Sequence, residues 1–453
     1  GDAAETVVEQ SWPPTARAAG TVADSAAVQP GGPRQPVEAL DRFDHADGLT
    51  HWRFPRVDLL VRPKRGSGSV TLSLHFPGVP RAETSDTAGL SWLLARSAVR
   101  GAGGLSGDAL AAAAERLGGT VAPSVGAETM GWSLTVAPDG LADAAALLQA
   151  VAREPHLESV DVAVECRLQA SDARRQRDDM FRYPLQQAMG LAFPGHPYGL
   201  PVLGMPDVVV GFDAERVRAW AARLRGARPV VVVVGDVAIA DVPEAVAALA
   251  GWEGGTTDTP NDQGRPSWRA GRGAEERDKQ QTALALGFRT VPYGSPDRYP
   301  LRVIGTILSG LAGRLFDELR EKRSLAYTVT AMPWFAREAG VLLCYIATSP
   351  DREAEARDAM LAELDRLITE PPDADELARA RNYAAGLVEI GAQSGRTVAA
   401  RMLEAWVNGE VARWAEAPAK LRAVAREDVL RVAESVFDAE QMVEYVVRGR
   451  RSP

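Results

Sequence analysis

The sequence predicts an α+β protein of two tandem homologous domains, each a mixed sheet with helices packed on one face. Two observations carry this prediction. One order of strand and helix patterns runs twice along the chain, and each run closes on a short apolar strand, over 230–234 in the first and 442–447 in the second. Between the runs lies a tract rich in breakers, Gly254-Gly255-Thr256-Thr257 through Gly271-Arg272-Gly273, which reads as a linker over 251–280. The domains are therefore expected over 41–250 and 281–453. Residues 1–40, rich in Ala, Pro, Gly and Thr and without apolar periodicity, are expected to be a disordered leader.

In the first domain Val70, Leu72, Leu74 and Phe76 alternate with Thr71, Ser73 and His75, the period of a half-buried strand. Helices follow over about 87–100 and 107–117, then strands around 120–124 and 131–136, then further helices. Gly101-Ala102-Gly103-Gly104 comes after a helix, so it reads as a helix stop and not as a phosphate cradle. In the second domain Leu284, Leu286 and Phe288 mark a strand, and Leu301, Ile304, Leu308 and Leu311 form a helical stripe. A short helix ends near Arg320, and strands cover 326–331 and 341–348. Met360, Leu364, Leu367 and Ile368 share one helical face, and a second long helix runs from Asp373 toward Trp406.

Composition narrows the function. At 453 residues the chain is too long for one ordinary core, and its 46% hydrophobic and 25% charged content is that of a globular protein without a membrane span. A formal net charge of −9 argues against nucleic acid, whose phosphates call for a basic footprint. The two cysteines, Cys166 and Cys344, suggest neither a disulfide framework nor a cysteine-zinc site. Low cysteine use fits a reducing compartment, read here as the cytoplasm with the periplasm as the alternative. The five histidines, His45, His51, His75, His156 and His196, include no pair at helical metal-ligand spacing, and His196 before Pro197 reads as structural.

Three segments then carry a resemblance. Leu319-Arg320-Glu321-Lys322-Arg323-Ser324-Leu325-Ala326-Tyr327 is a charged helix end running into an apolar strand, with Arg320 and Tyr327 seven residues apart. Phe193-Pro194-Gly195-His196-Pro197-Tyr198-Gly199 is followed by Val202-Leu203-Gly204, and Val232-Val233-Val234-Gly235-Asp236-Val237 ends the first domain. In their order along the chain they resemble the insulinase and mitochondrial-processing-peptidase family of inverzincin metalloproteases, over nearly everything after residue 40. The resemblance implies the LuxS/MPP-like metallohydrolase fold and a zinc site read from H-x-x-E-H on an N-terminal helix.

The matching helix here runs from Thr87 to Arg96, so the His positions hold Trp92 and Arg96 and the Glu position holds Ala95. By the same register the family's third ligand falls at Asp172, seven residues after Glu165. A lone carboxylate does not make a catalytic zinc site, which takes three protein ligands and an open position. The simpler reading of Trp92 and Arg96 is a ring and a snorkelling cation that fill vacated space. The alternative is a peptide-facing wall in which Arg96 pairs with Asp172.

For Arg320 and Tyr327 the resemblance implies a substrate clamp. A guanidinium fork can hold a peptide carbonyl, and a phenol can donate to a developing oxyanion. The chain is accordingly expected to be the zinc-free subunit of a heterodimeric metalloendopeptidase, inactive alone and without a cofactor of its own. The zinc would sit in a homologous partner bearing H-x-x-E-H. The substrate would be a peptide, such as the leader of a ribosomally made product. The rival expectations are a structural subunit without proteolytic role and a peptide-binding homodimer.

Overall fold

The computed structural model describes residues 38–45, 47–255, 264–310 and 312–450. Most of the expected leader, the middle of the expected linker and Leu311 of the helical stripe lie outside the described residues. The first half begins with β1 (Asp41–Asp44), β2 (Thr50–Arg53), β3 (Asp58–Pro63) and β4 (Val70–Pro77). Helix α1 (Leu90–Ser97), the two-stranded hairpin of β5 (Gly101–Ala102) and β6 (Leu105–Ser106), α2 (Gly107–Arg116), β7 (Ala122–Val125) and β8 (Thr129–Val136) come next. Then follow α3 (Leu141–Arg153), α4 (Ser159–Asp178), α5 (Arg182–Ala192), α6 (Ala214–Gly226) and β9 (Val230–Gly235). The second half runs β10 (Gly271–Glu276), β11 (Thr282–Thr290), α7 (Arg298–Leu308), a π-helical turn over Phe316–Lys322, β12 (Thr328–Phe335) and β13 (Gly340–Thr348). It ends with α8 (Glu353–Thr369), α9 (Ala374–Gly391), α10 (Gly395–Val407), α11 (Arg426–Val436) and β14 (Val443–Arg448).

The strands form a seven-stranded sheet, β1-β2-β3-β9-β4-β8-β7, and a five-stranded sheet, β10-β14-β11-β13-β12. The last five positions of the first sheet repeat the second in order and in sense: β3 is parallel to β9 and β10 to β14, and the other pairs are antiparallel. The α+β class and the doubled plan therefore hold. Two expectations need correction. The tract read as a linker contains β10, an edge strand whose small Gly271 and Gly273 hide its character in the sequence. The single helix expected from Asp373 toward Trp406 is two, α9 and α10, the second opened by Ser394 accepting from the Thr397 N–H at 3.3 Å.

That break lets α10 leave its own half. Each domain's own helices do cover one sheet face, as expected, but the other face is covered by a helix from the other half. In β9 the residues Val231 and Val233 point into the core of the first half, whereas Val230, Val232 and Val234 pack with Val398, Ala399, Met402 and Ala405 of α10. Burial on both faces is why the strand is an unbroken valine run. The second sheet mirrors this. Leu284, Leu286 and Phe288 of β11 face its own helices, whereas Ala283 and Ala285 lie under Leu185, Ala188, Met189 and Ala192 of the visiting α5. Each such buried Val, Leu or Met side chain contributes about 1.5–3 kcal/mol and each Ala less, so separating the halves would expose two apolar faces at once.

A buried polar cluster fastens the same junction. Arg81, 2% exposed, donates to the Tyr198 hydroxyl at 2.7 Å and to Glu338 of the second half at 2.7 Å. The Tyr198 hydroxyl donates in turn to Glu128, and the Tyr198 N–H donates to His196 Nδ1 at 3.1 Å. The His-Pro-Tyr-Gly segment is thus a structural corner, as read for His196. Burial, with Arg81 alongside, holds the His196 imidazole neutral down to about 4.

Helix α1 is held at its start by a buried acid. Glu83 accepts from the Gly89 N–H at 3.0 Å and from the Ser91 N–H at 2.8 Å, capping two orphan donors. Gly89, at φ 93°, begins the helix against the backbone of Leu203, where a Cβ would come within 2.7 Å of the Leu203 carbonyl oxygen. Burial pushes the Glu83 carboxyl up to about 7, against the pull of those N–H groups. A folded pKa above the free value of 4.5 means that this group stabilises the fold below about pH 4.5 and that the contribution fades as pH rises to about 7. His75, kept neutral by burial down to about 4, and His196 impose the opposite slope. The effect is therefore read as a difference. Denaturant titrations of wild type and Glu83→Gln should show the wild-type advantage shrinking by up to about 3 kcal/mol between pH 4.5 and 7. A pH-independent difference would contradict it.

Candidate functional site

Helices α1 and α4 meet where the sequence places the degenerate metal motif. Three bonds set α1 against its surroundings: the Trp132 indole N–H donates to the Ala95 carbonyl at 2.8 Å, the Trp220 N–H to Ser91 Oγ at 3.1 Å, and Gln169 Nε2 of α4 to the Gly89 carbonyl at 2.9 Å. Trp92 is half-buried and Ala95 fully buried. The Trp92 indole N–H is buried and has no hydrogen-bond partner among the described residues.

Arg96 does not snorkel, and that part of the reading is corrected. Its Nη1 donates to Asp172 Oδ2 at 2.9 Å, and its Nε lies 2.7 Å from Glu165 Oε2, an ionic contact off the hydrogen-bond line. Glu165, with its side chain 2% exposed, also accepts from Arg100 Nε at 2.6 Å, and Asp172 pairs with Arg175 one helical turn on. The physical reason is desolvation. A buried carboxylate needs a countercharge, and the guanidinium fork reaches both acids from one position on α1.

Zinc does not fit these residues. Indole, methyl and guanidinium groups offer no lone pair for a metal, and the two acids already hold a cation. Among the described residues no group of three His, Cys, Asp or Glu side chains is placed to hold a metal.

Arg320 and Tyr327 lie apart from this group, on the second half. The π-helical turn Phe316–Lys322 ends in Ser324, at φ 48°, which reverses the chain into β12. Leu319 and Leu325 are buried and joined by a backbone bond from the Leu325 N–H to the Leu319 carbonyl at 2.7 Å, so both ends of the reversal are anchored. The seven-residue spacing then closes on itself. Arg320 Nη1 donates to the Tyr327 carbonyl at 3.3 Å, and its guanidinium lies over the Phe316 ring at 4.8 Å. The Arg320 side chain is 48% exposed and Tyr327 64% exposed. A large aromatic so exposed at the head of an edge strand is available to another molecule.

Sequence reasoning missed three members of these surroundings. Glu165 appeared only as a register mark and Arg100 not at all, because an ion pair across two helices leaves no local pattern. A cavity against α7 and α9, containing Arg302, Arg401 and Glu404, was also missed. Its signal in the sequence is the internal repeat, which gives the metal locus a counterpart in the second half.

Comparison with known proteins agrees with this architecture. Residues 63–193 match the family model described as insulinase, peptidase family M16, and residues 211–383 match the model described as peptidase M16 inactive domain. An uncharacterized zinc protease of Mycobacterium leprae is 31% identical over 232 residues, 49% of this chain and 50% of the relative. One of Bacillus subtilis is 22% identical over 219 residues, 48% of this chain and 52% of the relative. The chain thus spans about half the length of these curated relatives. Among solved structures, a protease from Helicobacter pylori has a TM-score of 0.80 at 17% identity, covering 90% of this chain and 99% of that one. A peptidase M16 inactive domain from Pseudomonas fluorescens has a TM-score of 0.79 at 18% identity, covering 91% and 99%. With both halves matched by the models of one family, on a doubled sheet whose motif helix sits where the sequence placed it, the chain belongs to the insulinase family of peptidases, M16.

Proposed function

We propose that this chain is the zinc-free subunit of a heterodimeric metalloendopeptidase, lending Arg320 and Tyr327 to a homologous partner that carries H-x-x-E-H. The observation that carries the reading is the contrast between the two sites. Arg96 occupies the acids of the metal motif, while the Arg320–Tyr327 pair stays exposed with its geometry fixed by a π-helical turn. Runs of π-helix are uncommon and often mark functional positions. The substrate is an extended peptide. Leader removal from a ribosomally made product is the instance the resemblance suggests.

In this role the residues divide the work. Arg320 holds the Tyr327 main chain and keeps further N–H donors for a peptide carbonyl. The Tyr327 phenol donates to the oxyanion that develops on the attacked carbonyl. Neither residue needs a metal on its own chain, so the pair functions where a partner's active site faces it.

For the isolated chain, elemental analysis should find no stoichiometric zinc and peptide assays no hydrolysis; a chelator-sensitive activity in the isolated chain would refute the proposal. Arg96→Met, which leaves Asp172 and Glu165 short of a countercharge, should lower unfolding free energy by about 1–3 kcal/mol in denaturant titration, less than for an isolated buried pair because Arg100 and Arg175 remain.

In the complex, Arg320→Ala or Tyr327→Phe should leave assembly and zinc content unchanged and reduce kcat/KM by roughly 10²–10³-fold, the usual cost of one oxyanion donor. Arg320→Lys should restore little, since a point charge does not reproduce the guanidinium fork. Full turnover in both variants would make the chain a scaffold.

A further inference from the structure

The internal repeat gives the metal locus a counterpart in the second half. Burial alternates identically along residues 91–100 and 301–310, which sets Trp92, Ala95 and Arg96 of α1 against Arg302, Gly305 and Thr306 of α7. On the partner helices, Glu165 and Asp172 lie seven and fourteen residues after the N-cap of α4, and Ala380 and Leu387 lie seven and fourteen after the N-cap of α9. Where the first half has acids neutralised by an arginine, the second has a buried Ala380 and a Leu387 that shares a cavity with Arg302. The space between them is open. A cavity of about 500 Å³ lies there, lined by α7, α9, α10 and β12, within the range of small-ligand sites.

The cavity is basic in a chain of net charge −9. Arg298, Arg302 and Arg401 surround one acid, Glu404, and burial raises the Glu404 carboxyl above its ordinary range although all three guanidiniums oppose the shift. Arg298 is already engaged, donating to the Tyr299 hydroxyl at 2.8 Å and to the Tyr293 carbonyl at 2.5 Å. Arg302 is not. Among the described residues its side chain makes no hydrogen bond or ion pair, and its guanidinium lies over the Phe335 ring at 5.7 Å. Arg401 spends one donor on the Val388 carbonyl at 3.0 Å. Leu387, Val388, Met332 and Trp414 supply apolar wall.

We propose that this cavity binds a carboxylate carried on an apolar body, and that its occupant is the C-terminal end of a peptide whose last side chain is apolar. Guanidiniums with donors to spare recognise a carboxylate, and the apolar wall recognises the side chain beside it. The peptide source follows from β12. That strand is the free edge of its sheet, it begins one residue after Tyr327, and its Ala331 and Met332 line the cavity. Thr328 to Met332 spans about 13 Å, so a chain laid along the edge passes from the clamp to the cavity in roughly four residues. This choice of source rests on the peptidase reading above; the carboxylate site itself does not.

Binding to the full chain alone tests it. The probe is a pentapeptide labelled at its N-terminus and ending in two leucines with a free carboxylate, followed by fluorescence anisotropy. The C-terminal amide of the same peptide should bind roughly tenfold more weakly or worse, and Arg302→Gln should weaken the free acid to a similar degree. Glu404→Gln, which removes the acid that lines the cavity among its arginines, should tighten it. Equal binding of acid and amide, or indifference to both substitutions, would overturn the proposal. Octanoate displacing the probe at a lower concentration than the unlabelled peptide would overturn the peptide source and assign the cavity to a free organic acid. Binding is read without the partner, so a failed cavity with clamp variants that still lose turnover would leave the proposed function standing. A functional cavity with indifferent clamp variants would do the reverse.

Discussion

Each sheet of this molecule has one face that its own half cannot cover, and the exchange of α5 and α10 between the halves is the constraint from which the rest follows. The unbroken valines of β9 and the alanines of β11 are two solutions to one problem, burial on both faces with a visiting helix at close range. The exchange also sets the sites. Helix α4 carries Glu165 and Asp172 and leads into α5, and α9 carries the wall of the second-half cavity and leads into α10. Both helices are tethered at one end to the opposite sheet, so their registers against α1 and α7 depend on contacts made across the molecule.

Electrostatics then distinguishes two loci that the backbone makes alike. In the first half the acids are buried enough to require a countercharge, and Arg96 supplies it as a planar cation that satisfies both. A guanidinium is chemically unlike zinc in the respect that matters for hydrolysis: it has no coordination position to offer a water and cannot generate a hydroxide at neutral pH. In the second half the corresponding helix positions carry Ala380 and Leu387, so no acid from those positions faces Arg302, and Glu404 is the acid set among three guanidiniums. Charge excess and open volume coincide for that reason. One scaffold thus presents a satisfied ion-pair cluster and an unsatisfied basic cavity at equivalent places.

Much of this was legible in the chain. The period-two alternation from Val70 to Phe76, the helical stripe beginning at Leu301 and the repeated order of elements determined an α+β fold built twice, because burial of apolar side chains is a local demand with a local period. The residue types at Trp92, Ala95 and Arg96 excluded metal ligation without any coordinates, since ligand chemistry belongs to the side chain. The spacing of Arg320 and Tyr327 marked the exposed pair. What remained hidden is long-range. Only the tertiary structure decided that α10 breaks from α9 to cover the other sheet, that the glycine-containing Gly271–Glu276 pairs with the last strand, that Arg96 bridges Glu165 and Asp172, both distant in the chain, and that Arg302 faces open space. Each of these depends on which surfaces meet, and a sequence specifies its partners across space through the sum of its packing, not through any pattern local to the residues concerned.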